Sequence, residues 1–333
     1  MSKQWTPDEV LELVRGFQPA CVIVAGAELD VFSILHAEPA DAASLARRIG
    51  GEPRATAILL DGLAALGLLV KTGGRYEVPA SVAEILAETG GHCALGMTRH
   101  MGNCLRRWGQ LARVARTGQP ADRTPSVRGP EGDLVSFIRA MHEVSEPVAD
   151  GLIESLGPLG FCHLLDLGGA SGTWAIPLLR RHQRAKATIF DRPEVIPMAQ
   201  DLMAKVGLAD RVRLVAGDFY TDPLPGNADL AWVSAIVHQN SRQQNRDLFA
   251  KVFAALVRGG QILIRDIVMD ESRTSPAMGA LFAVNMLVNT PAGGTFTFEE
   301  LADDLAAAGF VDARFLRRGQ AMDSVIAATK PAH

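Results

Sequence analysis

The sequence predicts an α/β fold in two parts. A mainly α, winged-helix N-terminal domain precedes a doubly wound parallel sheet that ends in an antiparallel hairpin. Three observations carry this. Beyond residue 163, short apolar runs alternate with helical patterns, as strands covered by crossover helices do. The first run, Leu164-Leu165-Asp166-Leu167, breaks into Gly168-Gly169-Ala170-Ser171-Gly172, and a helical stretch follows. The last two runs, 313–316 and 324–329, lie too close for a helical crossover and should pair antiparallel.

Taken in order, Thr6-Pro7-Asp8-Glu9 is a helix start, with a capping threonine, proline at the first position and acids in the first turn. A largely apolar helix then runs through Val14 to Ile23, Ala27 and Leu29. It is too apolar to lie on water and is expected to be buried, in part against a second subunit. Residues 42–49 form a helix stopped by Gly50-Gly51. A second helix over 54–66 places Ile58, Leu59, Leu63 and Leu66 at helical spacing. Residues 67–71 and 75–78 form a hairpin around Gly73-Gly74. Helix, helix, wing is a winged-helix pattern, but the second helix has no polar row after Arg54 with which to read bases. Packing or dimerisation is expected of it, not DNA binding. Residues 92–117 read as helix, with Arg99, His100, Arg106 and Arg107 as a solvated basic face. The Pro- and Gly-rich stretch 118–132 reads as a linker and 133–156 as a helix leading into the first sheet strand. The expected domains are therefore 1–117, a connector over 118–156, and 157–333. Within the last, strands are expected at 163–167, 188–191, 212–215, 229–237 and 261–268. Helices are expected at 175–181, 195–206, 245–256 and 298–308.

Composition narrows the function classes. Apolar residues make up 48% and charged residues 21%, which suits a globular chain. The net charge of −4 supplies no bulk attraction to nucleic acid. The N-terminal MSKQWTPDEV lacks a signal-peptide core, and no apolar run approaches the ~20 residues of a membrane span. A cytoplasmic protein with no membrane or nucleic-acid partner is expected. Cys21, Cys93, Cys104 and Cys162 are scattered, which favours buried thiols over disulfides or a metal site.

The candidate site lies at the carboxyl ends of the strands, where open α/β sheets bind ligands. The glycine turn fails the dinucleotide fingerprint: positions three and six from Gly168 are Ala170 and Thr173, and from Gly169 they are Ser171 and Trp174. A turn of this kind suits a nucleoside ligand with no pyrophosphate to cradle. Asp191 ends the second strand, where a carboxylate can accept both hydroxyls of a ribose. Asp218-Phe219 follows the third, where an acid beside an apolar ring can meet a purine; the plainer role for Asp218 is to cap its own turn. His238 follows the fourth, and histidine is the usual general base for a hydroxyl acceptor.

Together these residues resemble the S-adenosylmethionine-dependent O-methyltransferases of the caffeic acid O-methyltransferase type, over nearly the whole chain. ILLDGLAALGLLVKTGGRYEVPASVAEIL resembles that family's winged-helix dimerisation domain. FIRAMHEVS, LLDLGGASG, FDRPEVI, DRVRLVAGDFY, the VHQN…GGQILIRDIV block and PAGGTFTFEELADDLAAAGF follow its order and spacing. The resemblance implies a Rossmann-like methyltransferase domain, a homodimer, and S-adenosylmethionine as cofactor. Position by position, it implies cofactor contacts for Ser145, Asp166, Gly168, Asp191, Asp218, Phe219 and Ser234. It implies a catalytic base at His238 oriented by Asp266, and an acceptor pocket lined by Met141, Met286 and Phe296.

The chain departs from the family pattern in four places. Gln239-Asn240 replaces Asp-Trp after the base, Ser234 stands where a lysine is common, Phe296 replaces a second supporting acid, and Ala170 replaces the middle glycine of the turn. The expected function is methyl transfer to a hydroxyl of a small aromatic or polycyclic secondary metabolite. Methylation of carbon or nitrogen, altered chemistry, and a ligand-sensing regulator stand as alternatives.

Overall fold

The computed structural model describes residues 3–333. The chain forms two compact units: residues 1–107 with 123–144, and residues 108–122 with 145–333. The connector is thus shared between the units, and the division falls inside one helix.

In the first unit, α1 (Pro7–Arg15) starts on a full capping box, Thr6 with Glu9. It stops at Gly16, and α2 (Phe17–Glu28) begins again beyond it. The single buried helix expected here is therefore two helices, and α1 buries nothing: Leu11, Leu13 and Val14 are exposed, as is Phe17 at the start of α2, which buries only Val24, Gly26 and Ala27. By length and composition alone, Pro7–Glu28 is apolar enough to span a membrane. Next come α3 (Val31–Ala37), β1 (Ala40–Asp41), α4 (Ala42–Ile49), α5 (Pro53–Ala65), β2 (Val70–Thr72) and β3 (Arg75–Glu77). Gly73 and Gly74 both take positive φ, which the tight β2–β3 hairpin requires, and β1 adds a third strand in the order β1-β3-β2. The buried face of α5 is Thr56, Leu60 and Leu63; Ile58 and Leu66 of the expected stripe point outward.

Helices α6 (Ala80–Leu86) and α7 (Leu95–Trp108) follow. The basic cluster on α7 is not a solvated face. Arg99 is only 4% exposed; it pairs with Asp30 and Glu88 and donates to the Ala27 carbonyl, while Arg106 pairs with Glu28. Part-exposed acids and a backbone carbonyl from elsewhere in the unit draw Arg99 inward, against the simple exposure rule. The cysteines are all free, and Cys104 is the only buried one; Cys21 and Cys162 are exposed.

α8 (Leu111–Thr117) belongs to the second unit, and α9 (Gly129–Ser155) runs from the first into the second. The sheet of the second unit has the order β11-β12-β8-β7-β4-β5-β6. Its strands are β4 (His163–Leu167), β5 (Lys186–Asp191), β6 (Val212–Ala216), β7 (Ala228–Ser234) and β8 (Leu256–Asp266), with β11 (Val311–Arg317) and β12 (Ser324–Thr329) forming the hairpin at one edge. Between β8 and that hairpin, β9 (Val268–Met269) and β10 (Phe296–Thr297) pair separately. Strands β4 to β8 run parallel, and β12 is antiparallel to β8 and β11, as expected. One core lies between the sheet and α12 (Arg242–Ala255) with α14 (Phe298–Ala307). The other lies under the end of α9, α10 (Ala175–Arg181) and α11 (Ile196–Lys205). A further helix, α13 (Ala277–Asn289), was not read from the sequence. Because β4 to β8 are parallel, their carboxyl ends line one edge, and that edge carries the site.

Candidate active site

The register places Leu167 beside Phe190 on one side and Val233 on the other, so Gly168, Asp191 and Ser234 end neighbouring strands. Gly168 has φ 63°, and a Cβ there would come within 2.6 Å of Ile236 Cδ1; only glycine fits. Ala170 also takes a positive φ, 48°. Its strained backbone is held by Asp191, whose Oδ2 accepts the Ala170 N–H at 2.7 Å, while Oδ1 accepts the Arg192 N–H at 2.7 Å. Burial raises the Asp191 pKa, and those two N–H donors work against the rise. Each oxygen retains a second lone-pair direction for a ligand hydroxyl.

Asp166 lies fully buried beneath the turn. Burial, and then the charge of Asp191, push its pKa to about 7. Its Oδ2 has no hydrogen-bond partner among the described residues. An orphaned carboxyl oxygen, a turn with no room for side chains and a part-buried Asp191 together fit the nucleoside portion of the expected cofactor. Phe219 approaches the same turn, 3.7 Å from where a Gly168 Cβ would lie. Asp218 is exposed and its carboxylate accepts the Tyr220 N–H at 2.8 Å, so it does cap its own turn. Lys251 clamps this loop by donating to the carbonyls of Phe219, Tyr220 and Asp222. Ser145 is buried on α9, and Ser234 Oγ accepts from Arg265 Nη1 at 3.0 Å.

His238 lies just beyond β7, in a short 3-10 turn over Val237–Gln239 and not in a strand reaching 237. Its Nδ1 is 2.9 Å from both oxygens of Asp266, which is 1% exposed and ends β8. Asp266 Oδ1 also accepts the Ile267 N–H at 2.8 Å, which fixes the carboxylate. An ionised acid accepts only, so the imidazole carries its proton on Nδ1 and leaves Nε2 bare.

Three polar side chains hold the turn. Tyr220 Oη donates to Asn240 Oδ1, Asn240 Nδ2 donates to Asn245 Oδ1, and Asn245 Nδ2 donates to the Val237 carbonyl. Asn240 and Asn245 are fully buried. The ring of Phe282 on α13 meets the imidazole edge-on at 4.8 Å. Met286, one helical turn further on the same face, is buried. Phe296 is buried in the core that also holds Ile236 and Val237. Met141 falls in the first unit.

Sequence reasoning missed Phe282 because α13 went unread, and missed the Tyr220–Asn240–Asn245 relay because its members are scattered. It also passed over Arg265. The signal there was a charged residue interrupting the apolar strand Gln261-Ile262-Leu263-Ile264.

Comparison with known proteins agrees with this geometry. Residues 127–311 match the family described as an O-methyltransferase domain, and residues 11–88 match the O-methyltransferase dimerisation domain. The tetracenomycin polyketide synthesis 8-O-methyl transferase TcmO of Streptomyces glaucescens is 33% identical, over 92% of this chain and 92% of that protein. The 3-hydroxy-5-methyl-1-naphthoate 3-O-methyltransferase of Streptomyces sahachiroi is 31% identical over 93% of this chain and 91% of that protein. Among solved structures, human N-acetylserotonin methyltransferase in complex with SAM superposes with a TM-score of 0.79 at 28% identity, covering 99% of this chain and 100% of that one.

Proposed function

Because this chain belongs to the S-adenosylmethionine-dependent O-methyltransferase family, we propose that it methylates a hydroxyl of a small aromatic or polycyclic metabolite, working as a cytoplasmic homodimer. The observation that carries the chemistry is the His238–Asp266 pair at the carboxyl edge of the sheet, beside the glycine turn. Bound S-adenosylmethionine supplies an electrophilic methyl group on its sulfonium. The chain's own residues have three tasks. The turn at Gly168, with Asp166, Asp191 and Phe219, holds and orients the nucleoside. Phe282 and Met286 line an apolar wall that aligns an aromatic acceptor and excludes water. His238 Nε2 takes the hydroxyl proton, and Asp266 steadies the imidazolium that results.

The acceptor class rests on the relatives, two of which act on polyketide or naphthoate hydroxyls by their names. The regulator alternative is disfavoured by the outward face of α5, where Ile58 and Asp61 stand where a base-reading helix needs polar or basic residues. The test is incubation with S-adenosylmethionine and a panel of naphthols and hydroxylated polycycles, followed by mass spectrometry. Gain of one methyl on oxygen is expected. Methylation confined to amines or carbon acids overturns the reading.

A further inference from the structure

Arg265 is the most heavily buried cation near the site. It stands at the end of β8 with 6% of its surface exposed. The strand residues before it, Ile262-Leu263-Ile264, are apolar and fill the core, and Asp266 follows it on the other face. The guanidinium lies 4.2 Å over the ring of Trp174, two residues past the glycine turn and the N-cap of α10. One nitrogen, Nη1, donates to Ser234 Oγ, while Nε is buried with no hydrogen-bond partner among the described residues. Among the described residues no carboxylate pairs with it: Asp323 is engaged by Arg317 and Asp266 by His238. Burial pushes the Arg265 pKa down to about 10, so the group stays charged at neutral pH.

A charge this deep is costly unless an anion meets it. The alternation of β8 settles which face it serves. Asp266 turns to the His238 side, and Arg265 turns to the opposite face with Leu263 and Trp232, under α9. Ser145 lies on α9 four residues before Ala149, in the stripe that packs on that same face, and it too is buried. Arg265 therefore stands beside the glycine turn, on the side away from the acceptor base. S-adenosylmethionine carries one anionic group, the carboxylate at the end of its amino-acid chain.

We propose that Arg265, stacked on Trp174 and steadied by Ser234, receives the carboxylate of the cofactor's methionine moiety. Ser234 stands where a lysine is common in the family, and Arg265 brings a cation back to that place from the adjacent strand. The inference rests on the cofactor site and is independent of the acceptor.

Calorimetry with the full-length protein tests it, using S-adenosylhomocysteine, its carboxamide and 5′-methylthioadenosine. The wild-type protein should bind the acid about tenfold or more tighter than the amide, as charge-assisted hydrogen bonds imply. Arg265→Met should close that gap and leave methylthioadenosine binding within about threefold. Equal affinity of the wild type for acid and amide overturns the proposal without any variant. So does a variant that loses acid, amide and methylthioadenosine alike, which is what a purely packing role would produce. If Arg265→Met does not fold, Arg265→Lys decides: a weakened preference for the acid with unchanged methylthioadenosine supports the role, and parallel losses overturn it. Failure of the wild type to bind any of the three contradicts the cofactor site itself, a result distinct from the others.

Discussion

Asp166 is the residue whose environment departs furthest from what its position in an apolar strand suggests. Its carboxyl is raised from the usual range to about 7 by burial first and by Asp191 second. A raised acid stabilises the folded state fully below its unfolded pKa and loses that contribution as pH rises through the folded value. The ligand-free protein should therefore lose stability between about pH 4 and pH 7, by a few kcal/mol from this group. Asp166→Asn should flatten that slope in urea titrations taken across the window; an unchanged slope means that Asp166 is ionised and solvated in the folded chain. Much at this scale was legible in the sequence. Gly168, Asp191 and Asp266 fall at strand ends and His238 in the turn just beyond one, because parallel strands deliver their last residues to one edge. Arg265 and the Asn240–Asn245 pair were not legible, since their roles depend on which buried group each meets across the fold.

At the scale of elements, periodicity found the sheet and most of its helices because strand and helix repeats differ. It missed α13, whose apolar residues surround the helix and leave no polar face to set a period. It misjudged α7 for a different reason. Basic residues at helical spacing look solvated until the acids that pair with them arrive from elsewhere in the chain: Glu28 from the end of α2, Asp30 from the turn before α3 and Glu88 from beyond α6. On α7 also, His100 is pushed down to about 4, by burial first and by Arg107 second. It lines a cleft of about 370 Å³ with Arg107, Arg123 and Phe137. A histidine depressed in the folded state costs stability as pH falls from its unfolded value of about 6.5 towards 4. His100→Gln should remove roughly 2–4 kcal/mol of acid sensitivity from the protein. Thermal melts of both proteins between about pH 4 and pH 7 check this, and identical acid sensitivity contradicts the assignment.

For the whole molecule, the N-terminal helices pose the main question. Leu11, Leu13, Val14 and Phe17 are all more than 45% exposed on a segment that opens the matched dimerisation domain. Apolar surface of this kind is covered in solution, and a second copy of the chain is the partner that the domain provides. Light scattering at micromolar concentration should give the mass of a dimer. Replacing Leu13, Val14 and Phe17 together by serine should shift it towards monomer. A monomeric wild type contradicts the proposal. The two-part organisation was legible from the sequence, but the division inside α9 was not, because a continuous helix carries no punctuation where one core ends and another begins.

His238, oriented by Asp266, is the residue proposed to accept the proton of the methyl acceptor. With an acceptor in hand, turnover of His238→Ala tests that role most directly. The family resemblance implies a second supporting acid where this chain has Phe296, so the loss should fall near the low end of general-base effects, about 10²-fold. Asp266→Asn should lose less, and added imidazole should restore part of the His238→Ala rate. An unchanged rate for His238→Ala, with cofactor binding intact, would contradict the account and leave proximity alone to drive the transfer.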